Sequence, residues 1–197
     1  MKRVSYLITG QPATRHDPIV PDSMYEKTYS DVVEKHAHIL FPNYRCVTFS
    51  PPIQSDRYST INKPDLALLD LNNDRWYVVE VELPGHDIGH VVEQINTFRT
   101  GDYRDQAKLL HKKLGKDFSL NRLKSLVNNE QPEVLVISPK VRTEWLEACA
   151  SDVVFLEFEL FRNRQDHPVY RVQEIQGRVE PSLEVEDAGI IRAGSVA

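Results

Sequence analysis

The 197-residue chain predicts an α/β domain in which a central mixed sheet is flanked by helices. Three observations carry that reading. Residues 66–71 and 76–83 are apolar runs of strand length around Asn72-Asn73-Asp74, whose side chains tolerate positive φ and bond their own backbone, so the pair reads as a hairpin. Residues 133–138 (EVLVIS) are continuously apolar, as in a strand covered on both faces. Between them Ile88, Val91, Val92, Ile95 and Phe98 recur at helical spacing.

In order along the chain, residues 4–9 fit a short edge strand. Residues 10–22 hold Gly10, Pro12, Pro18 and Pro21, so residues 1–22 form an N-terminal arm. Ser23-Met24-Tyr25-Glu26 fits a capping box and starts a helix to about Leu40, with Tyr25, Tyr29, Val32, Val33, His36, Ile39 and Leu40 as its buried face. At 100° per residue Glu26 falls at the border of that face and Glu34 points almost directly away from it. Residues 44–50 read as the first core strand, ended by Pro51-Pro52, and residues 53–62 as a polar loop whose Arg57 and Tyr58 face water, with contact to a substrate as the alternative. After the hairpin and its helix, one or two helices occupy residues 103–127, with Gly115 as a break. A short helix over 142–150 and strands over 153–161 and 170–175 follow the central strand. The domain thus spans 23–176, with a loosely held C-terminal tail over 177–197.

The hairpin carries the chemistry. If Asn72 and Asn73 are the turn residues, paired positions sum to 145, Asp65 lies opposite Glu80, and Glu82 leaves the same face two residues along, with Lys63 across from it. Three carboxylates then crowd one end of an apolar hairpin, where like charges repel and a cation should offset them. Oxygen ligands on neighbouring strands suit a hard ion such as Mg²⁺. The plainer alternative makes Glu80 and Glu82 the solvated face of an amphipathic strand, with Lys63 as ion-pair partner.

Pro64-Asp65 opening one strand and Glu80-Val81-Glu82 closing the next resemble the PD-(D/E)xK nuclease superfamily, with its restriction-endonuclease-like fold, in an E-x-E form of the motif. The resemblance covers roughly residues 23–160 and implies an αβββαβ core, here with an added C-terminal strand pair. It implies metal ligation by Asp65 and Glu80, and by a Glu on the first helix, for which Glu26 is the better placed. It also implies a role near the metal for Gln94, whose usual Tyr four residues on is Phe98 here; the alternative for Gln94 is an ordinary helix flank. Glu82 stands where Lys is usual and would orient or deprotonate water or complete the metal shell, with Lys63 as substitute cation.

The implied activity is Mg²⁺-dependent hydrolysis of DNA, with Mn²⁺ able to substitute, in defence, mobile-element or DNA-processing work. The implied assembly is a homodimer or something larger. A chain that has lost the Lys is also what a degenerate member would show, binding DNA or a protein partner without cleavage.

The net charge of −5 weighs against a general nucleic-acid binder, yet residues 104–124 hold seven Lys or Arg against two Asp. Lys108, Lys112, Lys113 and Lys116 are therefore candidates to meet a phosphate backbone; a solvated helix face is the alternative. His86 and His90, four apart, are spaced as zinc ligands can be, with Glu80 or Glu82 to complete a site, although no HExxH occurs. His36 and His38 suit a helix C-terminus. There is no GxSxG and no Gly-rich phosphate loop. No apolar run approaches the ~20 residues that span a bilayer. Cys46 and Cys149, without metal or redox spacing, read as reduced residues of a cytoplasmic protein.

Overall fold

The computed structural model describes residues 16–18, 25–55, 57–72, 75–149, 153–163, 168–176 and 190–192. In chain order the elements are β1 (His16–Pro18), α1 (Glu26–Leu40), β2 (Tyr44–Thr48), β3 (Ile53–Ser55), β4 (Thr60–Asn62), β5 (Leu66–Asp70), β6 (Trp76–Val81) and α2 (Ile88–Thr100). After a 3₁₀ turn at Arg104–Gln106 come α3 (Ala107–Leu114), α4 (Leu120–Asn129), β7 (Glu133–Ser138), α5 (Thr143–Ala148), β8 (Val154–Asn163), β9 (Pro168–Gln176) and β10 (Ile190–Arg192). They make a mixed α/β fold around one curled sheet of order β10-β9-β8-β7-β6-β5-β2, with β1 also pairing β8.

The β5–β6 hairpin has the register its sequence predicts. Leu66 pairs with Val79 and Leu69 with Trp76, so paired positions sum to 145. The strands β6, β7 and β8 then run parallel, because the long connection through α2, α3 and α4, and the shorter one through α5, return the chain to the same end of the sheet. As predicted for a doubly covered strand, residues 134–138 of β7 are buried.

Period-two alternation splits the apolar residues between two cores. Ala67, Leu69, Trp76 and Val78 pack with Val91, Ile95 and Phe98 of α2 and with residues of α3, α4 and α5. Leu66, Leu68, Tyr77, Val79 and Val81 pack with Tyr29, Val33, Ala37 and Leu40 of α1. Each such side chain contributes on the order of 1.5–3 kcal/mol by leaving water. Counting by twos from Val78 places Glu80 on the α2 face.

The structure corrects four expectations. Residues 53–62 are not a plain polar loop. They form the β3–β4 hairpin, with Ile53 and Ser55 fully buried, Ser59 at φ 55°, and the hydroxyl of Thr60 2.5 Å from that of Thr97 on α2. Three-residue strands are too short for alternation to show. Within the expected arm, His16–Pro18 is a strand paired to β8, and within the expected loose tail Ile190–Arg192 pairs in parallel with β9. Finally, α1 begins at Glu26, after Tyr25, which is 84% exposed and not part of the buried face; Ala37 is buried instead. Ser23 and the predicted strand over 4–9 lie outside the described residues.

Candidate functional site

At the open end of the β5–β6 hairpin four carboxylates from three elements come together. Asp65 precedes β5, and its backbone N–H bonds the carbonyl of Val79 at 3.2 Å. Its side chain then reaches across, and Oδ2 accepts from the Val81 N–H at 2.9 Å. Burial pushes its pKa up to about 6; the Val81 N–H opposes the shift, the Glu26 charge adds to it and Lys27 opposes it.

Glu80 is 4% exposed, and its Oε1 accepts from Nε2 of Gln94 on α2. Asp87 caps that helix by accepting from the N–H groups of Gly89 at 2.8 Å and His90 at 3.3 Å, in the turn before the one that carries Gln94. Glu80 Oε2 and Gln94 Oε1 are buried without a hydrogen-bond partner among the described residues. Burial holds Glu80 well above the usual carboxylate range, and the charges of Asp65, Glu82 and Glu26 push the same way against the Gln94 hydrogen bond.

Glu82 is 1% exposed. Its backbone N–H bonds Ile137 of β7 at 2.9 Å, so the chain stays on the sheet beyond β6. A turn closed by His86 N–H to the Leu83 carbonyl at 3.0 Å then returns the His86 ring, whose Nδ1 contacts Glu82 Oε2. The other ring nitrogen, Nε2, lies 3.3 Å from Oε2 of Glu26, the first residue of α1. Arg142 steadies the turn by donating to the His86 carbonyl at 3.3 Å. Burial pushes Glu82 up to about 7; His86 opposes this, and Glu26 and Asp65 add to it.

Five expected residues, Asp65, Glu80, Glu82, Gln94 and Glu26, are thus brought to one place. Glu34, expected to point away from the buried face, is half-buried beside β2, where it accepts from the N–H of Thr48 at 3.1 Å and from its hydroxyl at 2.7 Å. Lys63 is a correction: it is exposed, outside the ladder, and forms no ion pair with Glu82, whose partner is His86. The chain leaves the pairing before residue 63 because β4 turns toward α2, where Asn62 donates to Thr97 Oγ1 at 3.0 Å.

Lys108, Lys112, Lys113 and Lys116 are all exposed, on α3 and the loop after it. The α3–α4 unit is fastened to the opposite end of the hairpin, where Arg122 donates to the Asn72 carbonyl and the Glu130 carbonyl accepts from Trp76 Nε1 at 3.0 Å. Residue 65 lies seven residue steps from 72, mostly along β5, roughly 20 Å at ~3.3 Å each. Among the charges acting on the carboxylates, the lysine is Lys27 and none is from α3.

His86 contributes in a way its spacing does not show, since four residues from His90 it suggests a histidine pair. His90 is exposed, its ring centroid 6.1 Å from that of His86. Glu26, Glu82 and His86 each offer a donor atom within 4.8 Å of the other two. Among the described residues no helix is long and apolar enough to cross a membrane. Comparison with protein-family models, curated proteins and solved structures finds no match to this chain.

Proposed function

We propose that the chain is a divalent-cation-dependent nuclease that hydrolyses DNA phosphodiester bonds at the carboxylate cluster. One observation carries the reading: Glu80 Oε2, buried and without a partner among the described residues, sits among the charges of Asp65, Glu82 and Glu26. A buried carboxylate oxygen in such company is stabilised by a cation, and an all-oxygen pair such as Asp65 and Glu80 fits Mg²⁺ or Mn²⁺. Further support comes from the Pro64-Asp65 and Glu80-x-Glu82 resemblance to the PD-(D/E)xK superfamily. The element order agrees with it as well: a helix, an antiparallel triplet β2-β5-β6 and a helix, then a strand parallel to β6.

Asp65 and Glu80 would hold the ion. When bound, it polarises a phosphoryl oxygen, lowers the pKa of bound water and stabilises the leaving oxygen. Gln94 turns Glu80 so that Oε1 is hydrogen-bonded and Oε2 is left for the ion. Glu82, with a pKa near neutrality and His86 beside it, accepts the proton of the attacking water, a role worth typically ~10²–10⁴-fold in rate. The exposed lysines of α3 hold the DNA backbone at a distance from the cut.

A second reading, a nuclease-like domain that binds without cutting, is favoured by one observation: Glu82 occupies the place of the superfamily's Lys, and the charges acting on Glu80 include no lysine. Incubating supercoiled plasmid and single-stranded DNA with Mg²⁺ or Mn²⁺ separates the two. Cleavage abolished by Asp65→Ala and Glu80→Ala supports the nuclease. Salt-sensitive binding without cleavage supports the second reading, and cleavage that survives both substitutions contradicts the assignment of the site.

A further inference from the structure

We propose that Glu26 and His86, with Glu82 holding the imidazole ring, form a second cation position beside Asp65 and Glu80, and that the imidazole nitrogen makes it a seat for Mn²⁺ or a softer first-row ion in preference to Mg²⁺. This rests on the nuclease reading and deepens it by dividing the cluster into an all-oxygen half and a nitrogen-containing half.

The geometry has the spacing of a coordination shell. His86 Nε2 and Glu26 Oε2 are 3.3 Å apart, longer than the ~2.7–2.9 Å of a charge-assisted hydrogen bond. It falls within the roughly 3.0–3.4 Å that separates two donors around an ion with ~2.1 Å bonds. Glu82, which holds the other ring nitrogen, lies with them in a group whose donor atoms fall within 4.8 Å of one another.

The orientation of the ring is prepared as it is in metal sites. A histidine that ligates through one nitrogen commonly gives the other to a carboxylate, which fixes the tautomer and raises its basicity. Here Glu82 meets Nδ1, Nε2 faces Glu26, and Arg142 fixes the loop through the His86 carbonyl. The partnerless oxygen of Glu80, which carries the nuclease reading, belongs to the same cluster, where the charges of Glu26 and Glu82 act on it.

Donor chemistry sets the selectivity. Imidazole suits Mn²⁺ less well than zinc or copper but better than it suits Mg²⁺, which prefers carboxylate, carbonyl and water. Glu82 stands between the halves, acting on Glu80 on one side and bonded to His86 on the other.

Electron spin-echo spectroscopy of Mn²⁺ added to the metal-free protein tests the proposal without reference to cleavage. The expected result is nitrogen modulation on bound Mn²⁺ that persists in excess Mg²⁺ and is lost in His86→Gln, with binding at that position weakened by about 10- to 100-fold. Glu26→Gln should weaken the same nitrogen-coupled Mn²⁺, a check should His86→Gln fold poorly. Bound Mn²⁺ without nitrogen modulation in the unaltered protein overturns the second position while leaving the Asp65–Glu80 site standing. Absence of any bound Mn²⁺ overturns both.

Discussion

Two strands of the same sheet carry the triplet E-x-E, and the structure treats them differently. On β8, Glu157 accepts from the Val141 N–H at 2.9 Å and lies 3.5 Å from Nη2 of Arg171, and Glu159 pairs with Nε of the same guanidinium. Both are partly exposed, and the Arg171 charge opposes the upward push of burial on Glu159. On β6, Glu80 and Glu82 are almost fully buried, and their side chains bond Gln94 and His86. The alternation alone is an amphipathic strand in both places. What sets Glu80 apart from the β8 pair is that, among the described residues, no cation of the protein acts on its charge.

The largest expected effect follows directly. If β6 holds the working carboxylates and β8 a structural pair, Glu80→Gln lowers cleavage by about 10³-fold or more, in line with removal of a fixed charge-stabilising group. Glu159→Gln should leave cleavage close to its original rate. Equal losses in the two variants, measured by plasmid nicking, would break the distinction between the strands.

Replacing Lys108, Lys112, Lys113 and Lys116 together by Glu should weaken DNA binding by about 10- to 100-fold. The slope of log affinity against log salt should also fall, by ~0.9 for each phosphate no longer neutralised. Binding unchanged across a salt series would make α3 a solvated face after all.

Next is pH. Asp65 at about 6 and Glu82 at about 7 stand above their ordinary values of 3.8 and 4.5, so in this range the folded chain binds more protons than the unfolded one. Stability of the metal-free protein should therefore fall as pH rises from about 4 to 7, by up to ~1.4 kcal/mol per pH unit for each group. Mn²⁺ should raise the melting temperature more at pH 8 than at pH 5, by several degrees at ~2–4 °C per kcal/mol. Calorimetric melts showing the reverse order would contradict the cluster's electrostatics.

The smallest effect sharpens the same contrast. In metal-free protein at pH 8, Glu80→Gln should stabilise the fold by on the order of 1 kcal/mol, because it removes a buried charge with no cation. Glu159→Gln should be neutral or destabilising by up to ~1 kcal/mol, since it leaves a partly exposed Arg171 with one carboxylate fewer. Urea titrations giving both variants the same sign would erase the comparison.

Much of this was legible in the chain. Alternation and an Asn-Asn turn are enough for the β5–β6 register, and the register carries Asp65 to Glu80. Helical phase separates Glu26, which reaches the cluster, from Glu34, which is spent on Thr48. The β3–β4 hairpin was not legible, since its strands are three residues long and its anchor, Ile53, packs beneath α2. Gly101 shows how close that packing is: a Cβ there would stand 2.3 Å from Ile53 Cγ2. The partner of Glu82 was not legible either. Strand geometry extrapolated to residue 63 names Lys63, but the strand ends sooner, and a turn after Leu83 brings His86 back within reach. Local periodicity cannot foresee where a ladder stops.

The most direct measurement is anomalous X-ray scattering from crystals of the protein soaked in Mn²⁺. The account predicts a peak bonded to Oε2 of Glu80 and to the Asp65 carboxylate at ~2.1–2.3 Å, absent in crystals of the Glu80→Gln variant. No peak among Asp65, Glu80 and Glu82 in crystals whose Mn²⁺ occupies other sites would contradict it.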